Sequence, residues 1–276
     1  MKSLPFLLLA LVLVPFAQAQ SRPPQRIVSM NVCTDQLLLL LVERSRLASL
    51  SRFAADAAWS SMPAEAIGIT PNRGQADEIV ALQPDLVLTS AFSGTFAARV
   101  LERLHLRVER LGFAATREEV FGQIAQVADW TGEEASARQL IATTRARIEA
   151  SVQQLRPQLA GKSAVFLSSN GIAFGSSTLQ DDFLHSVGLR NIAAEAGISG
   201  PAPLSLELLL QAAPDFIISE PRGTLDAQMA HPYLQHAALM HLNPRRLSLP
   251  DRWFDCAGPW LADAYSSVVS QLSVTP

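Results

Sequence analysis

The sequence is almost without lysine: Lys2 and Lys162 stand alone, and every other cation is arginine. A GC-rich coding sequence explains that bias. An arginine at a binding site still brings a planar fork that matches carboxylates and other oxyanions. Aromatic residues are few, at 7%. The formal charge of -3 excludes a nucleic-acid binder held by phosphate attraction. Two cysteines, Cys33 and Cys256, are too few for a disulfide scaffold. No G-x-S-x-G elbow, G-x-G-x-x-G turn or P-loop occurs, so no common motif points to an enzyme. A secreted hydrolase using scattered Ser, His and Asp is what remains of that reading. His231, His236 and His241 fall five residues apart, which drifts around a helix and misses the i, i+4 pair of a zinc helix. Beyond the N-terminus no apolar run is long enough to span a bilayer.

What is present begins with an export signal. Lys2 supplies the positive region, Leu4 to Phe16 the apolar region, and Ala17-Gln18-Ala19 the small-x-small cleavage site. Cleavage after Ala19 predicts a mature chain soluble outside the cytoplasm, in a bacterial periplasm, where disulfides are favoured. No cysteine follows the site, which argues against a lipid anchor. The 276 residues, 49% of them apolar, suffice for two modest domains.

One unit occurs twice. Ala76 to Ser90, ADEIVALQPDLVLTS, reads as a helix that stops at Pro84 and hands over to a buried strand. Leu206 to Glu220, LELLLQAAPDFIISE, has the same layout around Pro214. An acid, Asp77 or Glu207, precedes each proline by seven residues. Proline cannot continue a helix and pushes the residue before it toward extended backbone, so each Pro-Asp marks a helix-to-strand joint. Duplication of the joint predicts two similar α/β lobes.

The rest of the chain fits. Short apolar strands are expected at 26–30, 47–50, 107–110, 163–167, 191–193 and 246–249, alternating with helices. Residues 51–74, 168–177 and 196–203 read as loops, the second alternatively as a hairpin. A helix is expected from His231 through Met240, and a final one over 260–272. Thr116 with Glu119, and Thr131 with Glu134, have the spacing of capping boxes. After the second box, Ile141, Ile148, Val152 and Leu155 form a one-sided stripe on a long helix that Pro157 should end. The expected architecture is α/β: lobes at 26–131 and 162–276, with central parallel-type sheets flanked by helices, joined by one long rigid helix at 132–157.

The motifs RIVSMNVCTDQLLLL (26–40), ADEIVALQPDLVLTS (76–90), TGEEASARQL (131–140), SLELLLQAAPDFIIS (205–219) and W-x-x-C-x-G-P-W (253–260), in this order and spacing, resemble the helical-linker (class III) periplasmic substrate-binding proteins of ferric-siderophore and vitamin B12 ABC importers. The resemblance covers the chain from about Arg26 onward. It implies a ligand cleft between two lobes, little hinge motion, and a monomer that delivers a small-molecule metal complex to an importer's permease dimer with its ATPase. It implies neither an enzyme nor an intrinsic cofactor. The cargo would be a ferric siderophore, with a corrinoid as the alternative. Direct metal-ion binding would need histidines from both lobes, and only His105 and His185 lie outside the 231–241 group. Asp77 and Glu207 match the positions at which family members dock on permease arginines, with Glu78 as a neighbour able to share the role. The family pattern has glutamate in both lobes, so Asp77 departs from it. First-turn acids also favour a helix dipole on their own.

Ligands of α/β sheets sit beyond the carboxyl ends of the strands. The residues expected there are Asn31, Cys33, Thr34, Arg52, Phe53, Trp59, Arg73, Phe92, Ser93, Asn170, Arg222, Arg252, Trp253 and Phe254. Aromatic faces mixed with arginines suit a bulky, partly planar, anionic ligand. Cys33 and Cys256 follow strands in opposite halves. They are expected either to pair across the cleft, which would lock the lobes, or to face the ligand as two thiols.

Overall fold

Alternation of short apolar runs with helical segments produces two separate parallel sheets in the computed structural model, which describes residues 22–168, 171–220 and 236–273. The strands are β1 (Ile27–Ser29), β2 (Leu47–Ser51), β3 (Pro71–Asn72), β4 (Leu86–Ser90), β5 (Val108–Leu111), β6 (Ser163–Phe166), β7 (Ile172–Phe174), β8 (Arg190–Asn191), β9 (Pro201–Pro203), β10 (Phe216–Ser219) and β11 (Arg245–Ser248). The first half orders them β3-β2-β1-β4-β5 and the second β11-β10-β6-β8, while β7 and β9 form a small antiparallel ribbon. The helices are α1 (Val32–Leu41), α2 (Pro63–Ala66), α3 (Ala76–Ala81), α4 (Thr95–Arg103), α5 (Arg117–Thr131), α6 (Glu134–Leu159), α7 (Leu179–Ser186), α8 (Ile192–Glu195), α9 (Leu206–Ala212), α10 (Ala237–Leu242), α11 (Arg252–Asp255) and α12 (Leu261–Ser273). Helices on both faces of a parallel sheet explain why β1, β4, β6 and β10 are apolar runs with no exposed side.

The duplicated joint is the same device in both lobes. Asp85 takes the backbone N–H groups of Gln25 and Arg26, at 2.6 and 2.9 Å, at the entrance to β1. Asp215 takes the N–H and hydroxyl of Ser163, at 2.8 and 2.9 Å, at the entrance to β6. Those Ser163 bonds hold the Asp215 carboxyl below its ordinary range. Each aspartate therefore clamps the strand that pairs with its own. The residue before each proline is not extended as expected. Gln83 (φ 49°) and Ala213 (φ 42°) are left-handed. The need to close a helix C-terminus with a left-handed residue outweighs the pre-proline preference, at a cost of about 1–2 kcal/mol each.

Other expectations shift at element ends. The 51–74 segment contains α2 and β3, and the 196–203 segment contributes β9. The strand expected at 191–193 is only β8, because the Asn191 side chain accepts from the Ala193 N–H and starts α8 instead. The Thr116 capping box forms. The Thr131 box does not: its hydroxyl donates back to the Val127 carbonyl at 2.8 Å, and Glu133 starts α6 without a side-chain cap. Pro157 lies inside the last turn of α6 rather than ending it. The missing Pro157 N–H costs the helix one bond, to the Gln153 carbonyl, and the last two residues continue past it. The 26 residues of α6 span roughly 39 Å at the usual rise. The segment expected to be an export signal and the start of the helix expected from His231 lie outside the described residues.

One apolar cluster runs from Ile27 and Leu37 in the first lobe, through Ile148, Leu155 and Leu159 of α6, to Phe183 and Tyr265 in the second. Beneath the carboxyl edge of the first sheet lies a polar exception. Asp35 is fully buried and takes the Ser51 N–H at 3.0 Å and the Ser51 hydroxyl at 2.5 Å. Burial raises its pKa to about 7, against the opposing pull of hydrogen bonds from Ser29 and Ser51. The native chain then holds a proton that the unfolded chain releases near the ordinary carboxylate value of 3.8. Stability is expected to fall as pH rises from about 4 to about 7, by on the order of 4 kcal/mol, and to change no further above that. Asp35→Asn removes the charge while its Oδ1 accepts from the Ser51 N–H and its Nδ2 donates to the Ser51 hydroxyl. Thermal unfolding should find it more stable than the parent at pH 8, with the gap closing by pH 5.

Candidate functional site

The five parallel strands of the first sheet end at one edge, and the loops leaving that edge carry the candidate residues. Met30 and Asn31 follow β1 and lead into α1, whose second residue is Cys33. Arg52, Phe53 and Trp59 follow β2, Arg73 follows β3, Phe92 and Ser93 follow β4, and Phe113 follows β5. From the second sheet, the segment after β11 carries Arg252, Trp253, Phe254 and Cys256. A Cys33–Cys256 disulfide, with Cα atoms 4.7 Å apart, joins the two edges. Of the two readings of the cysteines, the covalent pair is the one observed, and the two sets of loops face each other across a cleft.

The rim on the first lobe is aromatic. The Arg52 guanidinium lies 4.7 Å from the centroid of the Phe53 ring, which meets Trp59 at 5.8 Å. Trp59 is 56% exposed, Phe92 76% and Phe113 60%, a large apolar surface for side chains that normally bury. The floor is polar and already satisfied. Asn31 caps α1 by accepting from the Cys33 N–H and donates to the Ser93 hydroxyl at 3.0 Å. Ser93 also shares a hydrogen bond with Ser90 at 3.1 Å. These bonds fix the loops after β1 and β4, between which the strand order reverses, the place where α/β sheets open a ligand crevice. A cavity of about 140 Å³ opens there, lined by Cys33, Ser90, Phe92, Phe113, Phe254 and Cys256 among others.

Several expected residues have other roles. Thr34 is fully buried, its hydroxyl shared with Ser29 at 2.7 Å, so its assignment to the ligand is corrected. The helical turn that exposes Cys33 points the next side chain inward. Phe254 is 5% exposed and packs against Phe166 and Phe183; it is a core ring whose edge reaches the cavity. Trp253 is half-buried against the apolar core, and Arg252 is half-buried. Arg73 is exposed, and its N–H donates to Glu78 at 2.8 Å. Asn170 and Arg222 lie outside the described residues. Phe113 was missed, although it stands two residues past its strand as Phe92 does. Placing β5 at 107–110 hid that equivalence.

A second bridge between the lobes is ionic. Arg117 at the start of α5 donates to Asp182 of α7 at 2.6 Å. Burial works against its charge, but Tyr265 and Asp182 outweigh that and hold the guanidinium above its ordinary pKa. The first-turn acids Asp77 on α3 and Glu207 on α9 are exposed, and among the described residues neither forms an ion pair. No group of three or more His, Cys, Asp or Glu side chains able to hold a metal ion occurs among the described residues. No helix among them is long and apolar enough to cross a membrane.

Solved structures share this architecture. One described as a possible iron-binding, periplasmic solute-binding protein from Staphylococcus epidermidis superposes with a TM-score of 0.73 at 16% identity, covering 91% of this chain and 99% of its own. The periplasmic heme-binding protein of Roseiflexus gives 0.72 at 22% identity, covering 90% and 97%. The periplasmic vitamin B12-binding protein of Vibrio cholerae gives 0.69 at 17%, covering 91% and 98%. At such identities the likeness is one of fold, two α/β lobes with a helix between them. Comparison with curated protein sequences finds no match. The family model described as periplasmic binding protein matches residues 27–237, most of the sequence, and the chain therefore belongs to the periplasmic binding protein family.

Proposed function

We propose that this chain captures a ferric siderophore in the interlobe cleft and delivers it to the permease dimer of an ABC importer outside the cytoplasm. The observation that carries the reading is the rim of Arg52, Phe53, Trp59, Phe92 and Phe113. Exposed aromatic faces lose water favourably against ligand rings, and an arginine fork answers carboxylate or catecholate oxygens. The ligand brings its own iron, so the protein needs no metal site and no intrinsic cofactor. Membership of the periplasmic binding protein family supports a binder rather than an enzyme. A corrinoid is the second reading, favoured by the same flat aromatic surface, and a structural neighbour is named for vitamin B12 binding.

Delivery rests on Asp77 and Glu207. Each carboxylate stands exposed on the first turn of the equivalent helix of its lobe, so the pair presents two separated negative charges to a partner carrying two positive ones. Glu78 is the weaker candidate, since it already accepts from Arg73.

Trp59 reports on the rim directly. Its fluorescence is expected to be quenched in a saturable way by a ferric catecholate chelate, and Trp59→Leu should remove that signal and weaken binding about tenfold. Saturation by cyanocobalamin with no response to ferric chelates would shift the assignment to corrinoids. For delivery, Asp77→Arg with Glu207→Arg should leave chelate affinity within twofold and abolish uptake by cells. Normal uptake by the double variant would remove the docking role.

A further inference from the structure

The cysteine pair does more than staple a fold. Cys33 and Cys256 are 223 residues apart, one in each lobe. Opening a cleft separates the edges that line it, and here one atom pair on those edges is covalent. Disulfide-linked Cα atoms stay within about 4.4–6.8 Å. The present 4.7 Å therefore leaves about 2 Å of travel at that point. The α6 helix and the Arg117–Asp182 ion pair hold the lobes elsewhere. A helix alone would still allow the lobes to bend apart about it, and the disulfide removes that motion. The adjoining cavity of about 140 Å³ is smaller than the roughly 300–1,000 Å³ of small-molecule sites. With the bond closed, the cavity beside the bridge is too small for such cargo; with the bond open, it can deepen.

The bond is also reachable. Cys33 is half-buried and Cys256 is 7% exposed, and both line the open cavity, flanked by Phe92 and Phe113. We propose that Cys33–Cys256 is a redox-operated clasp: closed, it sets the cleft width, and thiol–disulfide exchange with a dithiol releases the lobes. A reductant thiolate would bond to one cysteine sulfur, the S–S bond would break, and the other cysteine would leave as a thiolate and take a proton. The second thiol of the reductant would then displace the first cysteine. The reductant ends as a disulfide and the protein as two thiols, so two electrons and two protons pass to the protein. The partner implied is a dithiol oxidoreductase or a small dithiol of the compartment.

The test needs no cargo, so it stands apart from the proposed ligand. The full mature chain is treated with dithiothreitol under native conditions, and exchange of backbone amides is followed by mass spectrometry. The untreated protein should take up no iodoacetamide; alkylation of both cysteines without reductant would overturn the clasp. Native reduction should go to completion, and amides at the start of α1 and in 250–257 should then exchange at least tenfold faster, with an increased radius of gyration. A bond that resists dithiothreitol until the protein unfolds, or reduction that leaves exchange and radius unchanged, would make it a static staple and overturn the proposal. Cys33→Ser with Cys256→Ser, confirmed folded by circular dichroism, should match the reduced parent in both readouts; a double variant as closed as the oxidised protein would equally overturn it. Binding of the ferric catecholate chelate is a separate arm, and it rests on the proposed function. It should weaken at least fivefold on reduction, because a rim of fixed spacing is already arranged for its ligand.

Discussion

Everything in the molecule is referred to the apolar seam along α6. Ala137, Ile148, Leu155 and Leu159 are buried, with Leu140, Ile141 and Val152 packed partly beside them. A fully buried Leu or Ile contributes about 1.5–3 kcal/mol, so the stripe commits this helix to its neighbours α5 and α12. Ion pairs at its surface, Arg145 with Glu118 and Arg147 with Asp263, repeat the assignment to one lobe and the other but are exposed and contribute little. The seam makes the cores of two lobes continuous. The two sheet edges are therefore brought to face each other by packing, and the bridges across the cleft act on lobes already joined there.

Within each lobe the Pro-Asp joint does the equivalent local work. A helix is closed, the chain turns, and an aspartate fixes the entrance of the adjacent strand. With the register set there, the carboxyl ends of the strands arrive together, and their loops share one rim. Hydrogen bonds among Asn31, Ser90 and Ser93 then satisfy the polar groups of the floor internally, which leaves the aromatic rings as the surface on offer. A neighbouring polar layer, Asp35 with Ser51, lies just below it and makes that part of the lobe sensitive to pH.

The cleft is bridged twice, once by charge and once by covalent bond, and the two differ in what controls them. The Arg117–Asp182 pair is half-buried, and the guanidinium is held charged by its neighbours against the cost of burial. The disulfide answers instead to the thiol chemistry of its compartment. A binding protein whose lobes are so tied has to present its ligand surface ready-made.

Much was legible in order. Alternation of apolar runs and helices, the Thr116 capping box and the repeated Pro-Asp were enough to give two parallel α/β halves, because those signals are local and recur. Residue-level contacts were less legible. Thr34 and Cys33 are adjacent, yet one is sealed under the sheet edge and the other bonded across the cleft, and only the helix phase decides which. Thr131 had the spacing of a cap but found a nearer acceptor in its own helix. Gln83 and Ala213 broke the pre-proline rule because closing a helix demanded it. The sequence by itself determined the alternation of the main strands and helices and the residue types available at the strand ends. Tertiary structure alone decided the partner of each cysteine, the burial of Phe254 and the joint exposure of Phe92 and Phe113. Those depend on distances between segments far apart in the chain, which no local pattern encodes.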